Sequence, residues 1–354
     1  MSRWLIALAM AALLPATSVR AQTATPEQVL ALPAELRARV HDEVLSERSG
    51  SQRRLEKLVA FMFSDEGLAI SYRESATNTV AETYETRTAN CLSFTMLFLA
   101  LAREAQLEAF PQEIEQTLSW RRDDNTLYLS NHVNAGVRIG GRVFIVDVAG
   151  DNVIARDPPE QITQRRLIAH YYNNLAVASL ERADYVAALA LIDRSLELDS
   201  SYASHWSNAG VLHMRNGEPR EAERAYRRAL SLDPRNASAL FNLSSFAQRT
   251  GDRVRELELR KRLADVQRND PFHHFLLATN YERAGDYPRA IRAYRRAIQL
   301  HPDEHRFYSA LANVYVKSGD LRRAVRALTR AQALSDGDVR AAYRIQLDRL
   351  KATR

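Results

Sequence analysis

The chain is poor in cysteine and lysine and has no long apolar run beyond its start. A single cysteine in 354 residues, Cys91, excludes an intramolecular disulfide framework. Lysine stands only at positions 57, 261, 317 and 351, so arginine carries almost all the positive charge. A net charge of +6 and a sequence pI near 9.5 invite a nucleic-acid reading. The arginines are scattered among nearly as many acids, and no dense basic block carries interleaved aromatics. A solvated helical surface explains that pattern better, and no nucleic-acid partner is expected. The nine histidines show no ligand spacing, so neither a metal nor a cofactor is expected. A chain of this length, 46% hydrophobic and 26% charged, has the composition of a soluble protein of about two domains.

Residues 1–21 read as a cleavable export signal. Arg3 gives a positive start, and Leu5 to Leu14 is an apolar run too short to cross a bilayer. Pro15 breaks the run, and Val19-Arg20-Ala21 offers small residues for cleavage after Ala21. No cysteine follows, which excludes a lipid anchor there, and no later segment is apolar enough for a membrane span. A periplasmic or secreted protein is the expectation. In an oxidising compartment an odd thiol is either well buried or kept for its chemistry.

Thr25-Pro26-Glu27 signals a capped helix start within 22–45, which Pro33 interrupts. A second helix is predicted from Arg53 to Phe63. Residues 64–90 are mixed and lead into a helix from Asn90 to Gln106, apolar nearly all round and therefore central. Cys91 opens that helix, where free N–H groups and the positive end of the dipole favour a thiolate. The competing reading is a small buried hydrophobe. Ala109 to Ile114 looks extended. His132–Ile139 and Arg142–Val148, separated by Gly140-Gly141, form a hairpin. With the glycine pair as the turn, paired positions sum to 281, which sets Asn134 opposite Asp147 and His132 diagonal to it. Residues 150–166, with Pro158-Pro159, read as a linker.

A cysteine nucleophile needs a base, and the base needs a group that orients it. Cys91, His132 and Asp147 supply those roles from a helix start and one face of one hairpin. Asn90-Cys91-Leu92-Ser93, Asn131-His132-Val133-Asn134 and Val143-Phe144-Ile145-Val146-Asp147 resemble the transglutaminase-like cysteine superfamily over roughly residues 55–150. The resemblance implies a papain-like fold with Cys91 as nucleophile, His132 as base and acid, and Asp147 as orienting group. It also implies chemistry on amide bonds through a thioester. Ala89 stands where family members often carry glycine two residues before the cysteine.

From about Ala169 the chain repeats every 34 residues, in units 169–202, 203–236, 237–270, 271–304 and 305–338. Gly217, Gly251, Gly285 and Gly319 recur in register, with Ala183 in the first unit. Ala188, Ala222, Ala290 and Ala324 recur five positions later, and Glu256 breaks the series. This pattern is similar to the tetratricopeptide repeat (TPR), a helix-turn-helix unit that stacks into a solenoid. Residues 339–352 read as its capping helix. Arg215, Arg249, Arg283 and Lys317 also recur every 34 residues, near the end of each unit's first helix. They are candidate groove contacts for an acidic or carboxylate-bearing peptide, or cations that complement helix C-termini.

The expected fold class is therefore α+β, a central helix packed on an antiparallel sheet over 22–165, followed by an all-α TPR solenoid over 166–354. The expected function is that of an exported transglutaminase-like cysteine hydrolase or acyltransferase, whose repeats bind a protein or peptide. The alternative is a non-catalytic periplasmic TPR adaptor carrying a degenerate thiol domain.

Overall fold

The computed structural model describes residues 23–45, 49–121, 126–149 and 153–352. The expected signal at 1–21 lies outside the described residues. Short helix α1 (Pro26–Val29) starts at the Thr25 capping box, and α2 (Ala34–Glu43) begins directly after Pro33. Helix α3 (Ser51–Phe63) buries Leu55, Leu58, Phe61 and Met62. Two short strands, β1 (Ser71–Tyr72) and β2 (Thr88–Ala89), pair in parallel around α4 (Val80–Thr86). That helix is capped by a Thr79–Glu82 box. Helix α5 (Cys91–Glu104) then runs through the core, with Phe94, Met96, Leu97, Phe98 and Leu101 fully buried.

Two long strands, β3 (Glu108–Arg121) and β4 (Thr126–Ile139), pair antiparallel, with a bulge between Ile114 and Thr117. Strand β5 (Arg142–Val146) follows the Gly140-Gly141 turn. Both glycines have positive φ, 56° and 78°, as a tight two-residue hairpin turn requires. Its register runs Ile139↔Arg142 to Ala135↔Val146, so every pair sums to 281. Strands β6 (Val153–Ala155) and β7 (Glu160–Gln161) complete a five-stranded sheet of order β5-β4-β3-β6, with β7 also on β3.

The segment 150–166 is therefore more than a linker. Parts of it satisfy the free edge of β3, and α6 (Gln164–Glu181) already begins at Gln164 behind a Thr163 cap. No spacer separates the sheet region from the helices. Leu167, Ile168, Tyr171 and Tyr172 of α6 belong to the same buried cluster as α5 and the inward residues Val133, Ala135 and Val137 of β4. Tyr172 also donates its hydroxyl to the Ala24 carbonyl at 2.6 Å.

Five helix pairs follow: α6 with α7 (Tyr185–Leu198), α8 (Ala203–Arg215) with α9 (Pro219–Leu232), α10 (Ala237–Thr250) with α11 (Arg253–Arg268), α12 (Pro271–Arg283) with α13 (Tyr287–Leu300), and α14 (His305–Lys317) with α15 (Leu321–Ala333). Helix α16 (Gly337–Ala352) caps the array. Gly217, Gly251, Gly285 and Gly319 turn the chain between the two helices of a pair at φ 74–82°, and Ala183 adopts the same left-handed geometry at 59°. Ala188, Ala222, Ala290 and Ala324 are each fully buried.

Glu256 takes the alanine position in α11 and is only 2% exposed. Arg253 and Arg260, both largely solvated, reach its carboxylate at 2.7 and 3.0 Å. Removing the acid strands no buried cation, because both arginines remain in water. Glu256→Ala, which restores the repeat's own residue, is therefore expected to hold or raise stability by up to about 1 kcal/mol. Urea unfolding checks it; a loss above about 1 kcal/mol would show that the pair is worth more than its desolvation.

Candidate functional site

The start of α5 is fastened on both sides of Cys91. The Asn90 side chain caps the helix by accepting from the Ser93 N–H at 2.9 Å. Its amide donates to Thr77 Oγ1 at 2.9 Å. Ser93 Oγ accepts from the Asn78 N–H at 2.7 Å and donates to the Ala76 carbonyl at 3.0 Å. The loop 74–79 is thus tied to the first turn, which explains two polar residues in an apolar helix. Thr95 Oγ1 binds the Cys91 carbonyl at 2.7 Å and lies 3.4 Å from the Val133 carbonyl, joining the helix to β4. Cys91 itself is a free, half-buried thiol.

His132 and Asp147 come together across the β4–β5 hairpin. Histidine Nε2 and carboxylate Oδ2 are 2.7 Å apart, with His132 buried and Asp147 nearly so. Asp147 Oδ1 accepts from the Ala149 N–H at 2.9 Å. The Asn134 amide donates to the same carboxylate. The Cys91 side chain hydrogen-bonds the His132 ring. The three sequence candidates therefore meet in one place, in the order thiol, imidazole, carboxylate.

The electrostatics follow from the contacts. Burial alone would lower the His132 pKa. The charge of a Cys91 thiolate and the bonds from Asp147 and Cys91 outweigh it and push the imidazole up to about 10. Burial would raise Asp147, but His132, the Ala149 N–H and Asn134 hold it below the usual carboxylate range. The arrangement stores a proton on His132 beside sulfur. Asn134 was placed opposite Asp147 by the hairpin register, yet its part in holding the carboxylate needed the side-chain geometry. Its Oδ1 is left buried without a partner.

Arg215, Arg249, Arg283 and Lys317 occupy the last turns of α8, α10, α12 and α14, all exposed. Cations there complement the helix dipole. Lys317 Nζ also binds Glu282 Oε1 at 2.7 Å. Among the described residues, no cluster of three or more His, Cys, Asp or Glu side chains could hold a metal ion, and no helix is long and apolar enough to cross a membrane.

Residues 206–236 and 275–339 match family models described as tetratricopeptide repeat. Similar solved structures include MamA (41-end) from Desulfovibrio magneticus RS-1, at 19% identity over 47% of this chain and 94% of that one, with a TM-score of 0.27. YrrB, described as a TPR protein with an unusual peptide-binding site, is 20% identical over 50% of this chain and 91% of its own, with a TM-score of 0.27. Pseudomonas aeruginosa pilF is 21% identical over 53% of this chain and 94% of its own, with a TM-score of 0.29. No curated protein matches the chain. The family models and the 34-residue register together make the helical part a TPR solenoid, a class of module that binds proteins or peptides.

Proposed function

We propose that the chain is a protein-binding adaptor whose solenoid engages a peptide segment of its partner. The observation that carries this reading is the run of five stacked helix pairs, of which the second, fourth and fifth match the tetratricopeptide models. The exposed cations Arg215 and Arg249, one repeat apart, favour a ligand with acidic side chains or a terminal carboxylate. Fluorescence anisotropy with labelled acidic peptides on the full chain tests it. Binding is expected to survive Cys91→Ser and to weaken at least about tenfold when Arg215→Glu and Arg249→Glu are combined. Equal binding by the charge-reversed chain would remove the cations from the reading.

A second reading rests on the Cys91–His132–Asp147 contact and the resemblance to the transglutaminase-like superfamily. In it, Cys91 Sγ attacks the carbonyl carbon of an amide, and the N–H of Cys91 at the helix start stabilises the oxyanion. The C–N bond then breaks, and His132 gives its proton to the departing amine. A thioester remains on Cys91. Water, deprotonated by His132, attacks it and releases a carboxylic acid; an amine in place of water gives a new amide. Export of the protein and an acyl-acceptor role for a periplasmic partner belong to this reading. Trapping an acyl adduct on Cys91, absent from His132→Ala, is the result that supports turnover. A thiol that labels rapidly but never carries an acyl group leaves the adaptor reading alone.

A further inference from the structure

A second set of titratable groups lies between the sheet and the first two repeats, away from Cys91. Glu113 of β3, His170 of α6 and His205 of α8 are 3%, 2% and 0% exposed. They form one hydrogen-bonded chain. Glu113 Oε2 lies 2.8 Å from His170 Nε2, His170 Nδ1 lies 2.9 Å from His205 Nε2, and His205 Nδ1 lies 3.1 Å from Ser195 Oγ. Ser195 donates its only proton to the Ala169 carbonyl at 2.8 Å.

The proton count is determined from that last bond. With its proton committed to Ala169, Ser195 can only accept from His205, so His205 carries its proton on Nδ1. With His205 neutral, its Nε2 is a bare acceptor and His170 Nδ1 donates to it. One further proton is shared between His170 Nε2 and the Glu113 carboxylate. In that arrangement every bond of the chain is made with His205 neutral. A proton added to His205 Nε2 faces the N–H of His170, so either two donors meet head to head in a dry site or His170 gives up its Nδ1 proton and the buried positive charge moves to His205.

The surroundings offer that charge little relief. Arg166 of α6 lies beside the chain, 3.4 Å from Glu113 and 2.6 Å from Asp199. Tyr202 packs edge-on against both imidazoles. The nearby acids are Glu113 and Glu115 of β3, Glu160 of β7, Asp199 after α7 and Asp233 after α9. Asp199 is already engaged. Burial works against its charge, but bonds from Ser201 and Arg166 hold it at about 2.

We infer that this buried Glu113–His170–His205–Ser195 chain is an acid-sensitive latch, which holds the first two repeats tightly against the sheet at neutral pH and loosens their junction when His205 takes up a proton. Burial, and then the neighbouring His170, lower the His205 pKa well below its ordinary value. A folded-state pKa below the unfolded one means that the open form binds more protons. The junction is therefore fully stable above about pH 6.5 and weakens as pH falls below it. Glu115 acts the other way. Partial desolvation of this exposed side chain, and then Glu113 two residues away, raise its pKa, so its protonation works in the opposite sense to that of His205. Loosening in acid thus depends on the histidine and opposes the glutamate. The latch also reaches the thiol site, because Glu113 precedes Ile114, the residue paired with His132.

Hydrogen exchange on the full-length chain between pH 7.5 and 4.5, corrected for intrinsic rates, tests the inference. Amides of β3 and α8 are expected to lose protection together by at least tenfold as pH falls, while those of α14 and α15 keep theirs. In His205→Gln, which can donate and accept but not titrate, that loss is expected to disappear or move at least one pH unit lower. Glu115→Gln is expected to leave the loss in place. Flat protection of β3 and α8 in the wild type, simultaneous loss in α14 and α15, or an unchanged transition in His205→Gln would each overturn the latch. If His205→Gln does not fold, the wild-type exchange pattern decides.

Discussion

Iodoacetamide is expected to alkylate Cys91 at pH 6 about a hundredfold faster in the wild type than in His132→Ala. An ordinary thiol, with a pKa of about 8.5, is less than about 1% thiolate at pH 6. In the folded chain the imidazolium of His132, retained up to about pH 10, lies against the sulfur. The wild-type advantage should therefore be greatest at low pH. The His132→Ala rate should climb about tenfold per unit until the thiol titrates by itself. The two curves converge near pH 9, and a part of the gap is offset because a less basic thiolate is a weaker nucleophile. Asp147→Asn should fall between them, since it keeps the shape but loses the charge that holds the ring. Near-equal rates at pH 6 would mean that the thiol and imidazole do not act as a pair. His132 itself also contributes to stability. The folded His132 pKa lies above the unfolded value of about 6.5, so its contribution is complete below that pH and fades as pH rises toward 10.

Gly210→Val is expected to destabilise the solenoid by about 3 kcal/mol or more. Gly210 lies inside α8, where glycine is intrinsically unfavourable. A Cβ there would stand 2.4 Å from Cε1 and 2.5 Å from Cδ1 of the Tyr226 ring. Tyr226 is 2% exposed on α9 and belongs to the core that joins the second and third repeats. The ring must leave its place, or the two helices must part. Urea unfolding of the single variants and of Gly210→Val with Tyr226→Ala measures the effect. The double variant should lose at least about 1 kcal/mol less than the sum of the singles, because removing the ring removes the clash. A loss below about 1 kcal/mol in Gly210→Val alone would show that the helices adjust freely there.

The local signals were legible because they depend on neighbours in sequence. A glycine pair between two β-rich runs sets a hairpin register, and that register brings Asp147 to His132 before any coordinate is known. A cap residue before an apolar run puts Cys91 at the helix start. Glycine every 34 residues marks the left-handed turn between paired helices, and Ala183 shows that the turn persists without it. The short helix α4 lies within a segment of mixed pattern, where the Thr79–Glu82 capping box is its one local signal. Strands β6 and β7 were hidden for a different reason. They are three and two residues long, and what makes them strands is the free edge of β3, distant in sequence. The Glu113–His170–His205 chain spans 57 and 35 residues between its members, so no spacing rule could have joined them.

The cluster shared by α5, β4 and α6 has a consequence for how the array comes apart. In a solenoid each repeat is held by its neighbours, so the terminal repeats are the weakest points. Here the first repeat packs on the sheet and the fifth packs on α16. Helix α16 buries just Tyr343 and Leu347 against the fifth repeat. The sheet thus holds the array at two places, at α6 and again through Ile154 of β6, which belongs to the buried cluster of the fourth and fifth repeats. The third repeat lies between these two contacts, and its α11 buries Glu256 and Leu259, so opening of the array is expected to start there.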